Sequence, residues 1–132
     1  MLPRSPWTAA TLAAVAVLAA APALAHPQLL QATPAAGSTV AATDRIELRF
    51  SEPLVAKFTG ASLTSTKMMM GGQMMDHEMA VGGVKAALSP ADRKVLVVTL
   101  RQRLAPGEYR LDWRAVSTDT HKVKGQITFT VR

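Results

Sequence analysis

One segment alternates apolar and charged side chains over seven residues: Tyr109-Arg110-Leu111-Asp112-Trp113-Arg114-Ala115. Because successive side chains of a β-strand point to opposite faces, this period of two predicts a strand with one buried face. Residues 45–50 and 126–131 alternate in the same way, with Ile46, Leu48 and Phe50 on the apolar face of the first. Three such strands in a short chain indicate a sheet protein with one buried layer.

Further apolar segments raise the number of predicted strands to about seven. Residues 94–100 are β-branched and apolar, which predicts a strand buried on both faces, and the weaker candidates are 29–33, 61–66 and 80–88. Turn-forming residues separate the segments, so the chain is predicted to be all-β and to form a small Greek-key β-sandwich. The predicted core is Ile46, Leu48, Phe50, Leu63, Val95, Val97, Leu111, Trp113, Ile127, Phe129 and Val131.

Lys67 to Met79 has neither a strand pattern nor a helical one. We therefore predict an irregular loop there. Long loops in compact domains are usually functional or disordered, so this segment is a candidate site.

Composition limits the classes of function that the chain can have. The chain has 132 residues, 48% of them hydrophobic, a formal net charge of +6 and no cysteine. This length allows one domain, and the lack of cysteine excludes a disulfide scaffold, a zinc–thiolate site and a thiol nucleophile. The basic residues are dispersed along the chain, which predicts ordinary solvated faces and no nucleic-acid partner.

Residues 1–25 have the three parts of a secretory signal: Arg4, an apolar core, and small residues that end at Ala25. The core has about 14 residues, whereas a membrane-spanning helix needs roughly 20. We expect cleavage after Ala25, export to the periplasm, and one mature domain over residues 26–132 that is not embedded in a membrane. The alternative is an N-terminal membrane anchor.

Cleavage at that point would make His26 the first residue of the mature chain. Its α-amine and ring Nδ1 could then chelate one metal ion, since both lose their protons near neutral pH. Pro27 follows and has no backbone N–H, so the chelate would stop at His26. The other ligands must come from elsewhere in the fold.

Asp119 and His121 are candidates for those ligands, because residues two apart in extended chain project to the same side. One amine, two imidazoles and one carboxylate suit Cu(II), and Zn(II) accepts the same set. The alternative is that both residues are ordinary solvated side chains of a turn.

Six of the seven methionines lie between Met68 and Met79, around His77. Thioethers are soft ligands that select Cu(I), and three or four donors would suffice for one ion. The alternative is an adaptable apolar docking surface, as in other methionine-rich patches.

These residues resemble the CopC/PcoC family of bacterial periplasmic copper-resistance proteins. The resemblance covers the whole mature chain and includes His26-Pro27, the motif T-P-A-x-G-S at 33–38, I-E-L-R-F-S-E at 46–52, the methionine segment, and D-W-R-A-V-S-T-D-T-H at 112–121. It implies a cupredoxin-like or immunoglobulin-like sandwich that carries copper. It also implies two partners, a CopD-like inner-membrane protein and a periplasmic multicopper oxidase.

The resemblance also implies two copper sites. The Cu(II) site would comprise His26, Asp119 and His121, with Glu52 as a weak contributor outside the ligand set. The Cu(I) site would be drawn from the following residues: Met68, Met70, Met74, Met75, His77 and Met79. The methionines of this chain are contiguous where those of the family are spaced, so the sequence leaves the choice among neighbours open.

The predicted role is that of a copper carrier and not an enzyme, working as a monomer or a weak copper-bridged dimer. Two alternatives stay open. An N-terminal histidine chelate also occurs in copper enzymes that cleave polysaccharides oxidatively, which need an open coordination position and a broad substrate face, commonly with exposed aromatic side chains. A sandwich without metal would be an immunoglobulin-like interaction module.

Overall fold

The computed structural model describes Pro3 and residues 26–132. Nine strands and one short 3-10 helix lie in the described part of the chain. In order they are β1 (Leu29–Thr33), β2 (Thr39–Val40), β3 (Arg45–Phe50), the 3-10 helix (Ala56–Phe58), β4 (Gly60–Met70), β5 (Gln73–Ala80), β6 (Val84–Leu88), β7 (Val95–Leu100), β8 (Gly107–Val116) and β9 (Lys122–Val131).

The strands form two sheets that enclose the core. One sheet has the order β1-β3-β7-β6 and the other β2-β9-β8-β4-β5. Neighbours are antiparallel except β2 and β9, which run parallel. Trp113 of the larger sheet meets Phe50 of the smaller one edge-to-face, with ring centroids 5.1 Å apart. The predicted all-β sandwich is confirmed.

The predicted core is confirmed at ten of its eleven positions, and Val97 is wrong as a core residue. In β7 the side chains that join the core cluster are Leu96, Val98 and Leu100, while Val97 is half-buried. All four side chains are apolar, so the sequence does not show from these residues which face of the strand points into the core.

The prediction of an irregular loop over Lys67–Met79 is wrong. Most of this segment belongs to the hairpin of β4 and β5, with Met68 opposite Met75 and Met69 opposite Met74. Gly71 and Gly72 form the turn with φ values of 58° and 79°. Two consecutive residues with positive φ are the signature of a tight two-residue hairpin turn, and a Gly-Gly pair favours that turn. The periodicity was uninformative because methionine occupies both faces.

Two smaller differences concern neighbouring strands. The predicted strand 80–88 is divided, since Ala80 ends β5 in one sheet and Val84 begins β6 in the other. The two-residue strand β2 had no signal in the sequence.

The predicted leader, residues 1–25, lies outside the described residues apart from Pro3. Within the described part of the chain, no helix has the length and apolar character needed to cross a membrane.

Candidate functional site

The turn between β8 and β9 positions Asp119 and His121. The Ser117 N–H donates to the His121 carbonyl oxygen at 3.0 Å, and the Thr120 N–H donates to the Ser117 carbonyl oxygen at 2.9 Å. Thr120 has a φ of 73°, a left-handed conformation that is uncommon for a β-branched residue. These bonds close the turn, so the carboxylate and the imidazole are held by backbone geometry.

The turn favours the ionised form of Asp119. The hydroxyl of the buried Ser117 donates to its carboxylate, and the ring Nδ1 of His121 lies 3.0 Å from its Oδ2. The Ser117 bond first, and the His121 ring second, hold the pKa of Asp119 below its ordinary value. Although the distance is short, Nδ1 of His121 is buried and has no aligned hydrogen-bond partner.

The segment before β1 brings His26 to the same place. The Gln28 N–H donates to the Ser51 hydroxyl at 2.8 Å, and the Ser51 N–H donates to the Gln28 carbonyl oxygen at 2.9 Å. Pro27 is buried, whereas His26 is exposed. The rings of His26 and His121 meet edge-to-face with centroids 4.9 Å apart and planes at 86°. Two imidazoles separated by more than ninety positions in the chain are thus in contact.

The segment after β3 fixes the turn from the other side. Leu54 forms a β-bridge with Ser117, and the Thr118 N–H donates to the Pro53 carbonyl oxygen at 3.2 Å. Glu52, one residue earlier, is half-buried and makes no ion pair with His26 or His121, all of them described residues.

These contacts form two pairs, His26 with His121 and His121 with Asp119. Among the described residues, no three His, Asp or Glu side chains lie close enough together to surround one metal ion. In this chain the nitrogen of His26 is an amide bonded to Ala25, so it is not the free amine that the predicted chelate needs. The arrangement therefore contains two imidazoles and one carboxylate, and the predicted four-donor set still needs one further nitrogen.

Strand pairing divides the methionine segment between two faces. Residues directly opposite each other share a face, and the face alternates along each strand. Ser65 lies opposite the buried Tyr109 and therefore points inward. A β-bulge follows at Thr66, between the pairs Ser65–Tyr109 and Lys67–Glu108. Beyond the bulge the inward positions are Met68, Met70, Met75, His77 and Met79, and the outward positions are Lys67, Met69, Met74, Asp76 and Glu78.

The inward face borders a cavity of about 530 Å³ between the hairpin and the segments 81–83 and 100–105. Met68, His77 and Met79 line this cavity together with Ser65, whose hydroxyl lies 3.0 Å from Nε2 of His77. Two thioethers and one imidazole therefore face a common space. Thioether sulfur is a soft donor and imidazole an intermediate one, a combination that suits Cu(I).

The structure separates Met74 from the other predicted candidates. It lies opposite Met69 on the outward face, whereas Met75 shares a face with Met68. A site that uses all six predicted residues from one side of the hairpin is therefore incompatible with the pairing. The Gly71-Gly72 turn is the sequence feature that could have fixed this register, because it determines which residues lie opposite each other.

The outward face of the hairpin is tied to β8 by charge. Nη2 of Arg110 lies 3.0 Å from the carboxylate of Glu78, and its Nε lies 3.1 Å from Asp112. These exposed pairs contribute little stability but orient Glu78 away from the cavity.

The aromatic side chains of residues 26–132 are mostly internal. Phe50, Tyr109, Trp113 and Phe129 are buried, and Phe58 is 52% exposed. Among the large aromatic side chains of this part of the chain, only Phe58 is strongly exposed.

Comparison with known proteins gives consistent matches over the described domain. A family model described as the CopC domain matches residues 29–132. The copper resistance protein C of Pseudomonas syringae pv. tomato is 47% identical over 123 residues, which cover 92% of this chain and 93% of that protein. The protein of the same name from Escherichia coli is 47% identical over 110 residues, covering 83% and 84%.

Solved structures give the same result. PcoC, a methionine-rich copper resistance protein from Escherichia coli, matches with a TM-score of 0.72 and 47% identity, over 82% of this chain and all of PcoC. CopC from Methylosinus trichosporium OB3b matches with a TM-score of 0.62 and 27% identity, over 80% of this chain and 93% of that one.

Proposed function

Since this chain belongs to the CopC domain family, we propose that it is a periplasmic copper carrier that sequesters copper for homeostasis and resistance. In this role it binds Cu(II) through His26, Asp119 and His121, and Cu(I) through the inward face of the hairpin. Its partners are a CopD-like inner-membrane protein and a multicopper oxidase, to which it passes copper without catalysing a reaction.

The single observation that carries the Cu(II) proposal is the contact between His26 and His121 beside Asp119. Removal of residues 1–25 would convert the amide of His26 into a free amine and supply the missing nitrogen. The buried Pro27 has no N–H, so the metal cannot recruit the next backbone nitrogen. One amine, two imidazoles and one carboxylate form an N₃O set that suits Cu(II) in tetragonal geometry.

The chain's own residues favour the ionised form of one of these ligands, Asp119. The Ser117 hydroxyl keeps the carboxylate of Asp119 ionised, and Asp119 in turn holds the ring of His121. Glu52 would influence this site only through its charge. Because nitrogen ligands must be deprotonated to bind a metal, Cu(II) affinity should fall as the solution is made acidic.

The Cu(I) proposal is supported by the cavity that Met68, His77 and Met79 share. Met70 and Met75 lie on the same face and provide alternative thioethers, whereas Met74 does not. Thioethers carry no proton at any ordinary pH, so protons do not compete with Cu(I) for the sulfur donors.

A matched pair of chains tests the Cu(II) site. One begins at His26 with a free amine, and the other is the same chain with that amine acetylated, which converts it into an amide without adding a new amine. We expect the acetylated chain to bind Cu(II) at least ~100-fold more weakly, because one nitrogen donor and the chelate ring are lost. Equal Cu(II) affinity for the two chains would overturn the proposed ligand set. Mass spectrometry of the exported protein checks that its first residue is His26.

A further inference from the structure

A groove with a cavity of about 590 Å³ lies on the outer surface of the larger sheet, directly beside the turn that carries Asp119 and His121. We call it the basic groove. The side chains that characterise it are Lys57, Phe58, Arg114, Val116, Lys122 and Lys124.

Tertiary structure brings these residues together from three elements. Arg114 of β8 lies directly opposite Lys124 of β9, and Val116 lies opposite Lys122. The 3-10 helix that carries Lys57 is held against β8, because the Val55 N–H donates to the Val116 carbonyl oxygen at 2.8 Å. The sequence shows only scattered lysines and arginines at these positions.

The groove concentrates positive charge that this part of the chain leaves uncompensated. Within residues 26–132, none of Lys57, Arg114, Lys122 and Lys124 makes an ion pair. Like charges directly opposite each other on a sheet repel, so the Arg114–Lys124 pair destabilises the free protein slightly. The guanidinium of Arg114 lies over Gly60, where an added Cβ would come within 2.8 Å of it. An anion bound in the groove would relieve this repulsion.

The groove also has an apolar component. Phe58 is 52% exposed, and the ammonium of Lys57 lies 5.5 Å from the centre of its ring. Val116, on the floor, is buried. Aromatic side chains and arginine, both present here, are enriched at protein-binding surfaces and often supply much of the affinity.

We propose that the basic groove binds an acidic segment of a partner protein that carries an apolar or aromatic side chain. The carboxylates of the segment would pair with the four cations, and its apolar side chain would pack against Phe58. A membrane surface is too flat to fill a concave cavity of this volume, which favours a peptide segment over lipid. Since Lys122 follows His121 directly, a docked segment would lie beside the candidate metal ligands.

The experiment uses protein purified from cells that express the full chain. The probe is a fluorescent peptide of alternating glutamates with one central phenylalanine, and binding is followed by fluorescence anisotropy at two salt concentrations. The test variant is Lys57→Glu/Lys124→Glu. The matched control is Lys85→Glu/Lys94→Glu, which makes the same change of net charge on exposed positions outside the groove. Phe58→Ala removes the apolar contact alone.

We expect the groove variant to bind the peptide at least ~10-fold more weakly and the control variant less than ~3-fold more weakly. The reason is that charges in direct contact with the peptide contribute more to its binding than charges far from it, which salt screens. Phe58→Ala should weaken binding of the peptide several-fold. Cu(II) titration of each variant should be unchanged, so this result does not depend on the proposed copper sites. Equal losses in the two double variants would overturn the proposal. So would binding to phosphatidylglycerol vesicles without binding to the peptide.

Discussion

The two candidate copper regions lie at the two ends of one strand and are built differently. Met68 pairs with Gly107, the first residue of β8, and the turn with Asp119 follows Val116, the last. Ten residues of strand separate the regions by about 30 Å. The turn rests on the buried Ser117, whereas the hairpin carries methionines that are 38% to 61% exposed.

If both regions bind copper as proposed, this difference predicts two modes of binding. Ligands held by a closed turn are preorganised, so an ion bound there leaves slowly and the site is suited to storage. Exposed thioethers on an edge hairpin can rearrange and be reached by another protein, which suits exchange. If both regions bind copper as proposed, an ion could pass from one to the other over this distance only by release, or by contact between two molecules.

The largest effect should follow from the loss of the imidazole that both pairs at the turn share. His121→Ala should weaken Cu(II) binding at least ~100-fold, since even residues that only support a ligand are worth 10- to 100-fold. The measurement is competition against a chromogenic Cu(II) chelator. His77→Ala is the matched control and should change Cu(II) affinity less than ~3-fold. Similar losses in both variants would mean that the regions are not independent.

The next effect tests the two faces of the hairpin. Met68→Leu/Met79→Leu should weaken Cu(I) binding by at least ~10-fold, because leucine has similar volume but lacks the soft sulfur donor. Met69→Leu/Met74→Leu makes the same chemical change on the outward face and should have little effect. Both are measured by anaerobic competition with a Cu(I) indicator. A larger loss for the outward pair would contradict the inward site.

A smaller effect is expected at the hairpin turn. Gly71 has a φ of 58°, so Gly71→Val should cost about 1–2 kcal/mol of local stability. Gly71→Asn should be tolerated, since asparagine adopts this conformation in tight hairpin turns. Amide hydrogen exchange of β4 and β5 measures the loss, which should leave the turn at Asp119 unaffected. If valine and asparagine behaved alike, the turn would not be fixed by positive φ.

The smallest effect concerns pH. Hydrogen bonding lowers the folded pKa of Asp119 below 3.8, so its charge stabilises the folded turn above that value. This contribution is lost as the pH falls through the lowered pKa. Asp119→Asn should therefore flatten the pH dependence of unfolding in that acidic range, measured by denaturant titration at several pH values. Ser117→Ala should shift the carboxyl titration, followed by NMR, towards its ordinary pKa. An unchanged titration would mean that the hydroxyl does not hold the carboxylate.

Local alternation predicted most of the sandwich because the pattern depends only on which side of a strand faces the core. Residues 45–50 became β3 and residues 109–115 lie within β8, each with the predicted face inside. Alternation was uninformative where both faces of a strand carry the same type of residue. In β7 it predicted a buried Val97 in place of Leu96 and Val98, and in the hairpin it predicted no strand.

The candidate site shows the same division. Asp119 and His121 were found by their spacing, and His26 by the expected cleavage, because these depend on short stretches of chain. Their contact, the buried Nδ1 of His121 and the Ser117 bond depend on how distant segments pack, and no local pattern encodes them.

The sequence by itself determined the all-β class, most of the core, and the chemical types of donor available, since periodicity and side-chain chemistry are local properties. Only the tertiary structure decided which methionines share a face, which histidine rings meet, and that four scattered cations line one groove. Those relations arise from strand register and from sheet packing, which bring together residues far apart in the chain.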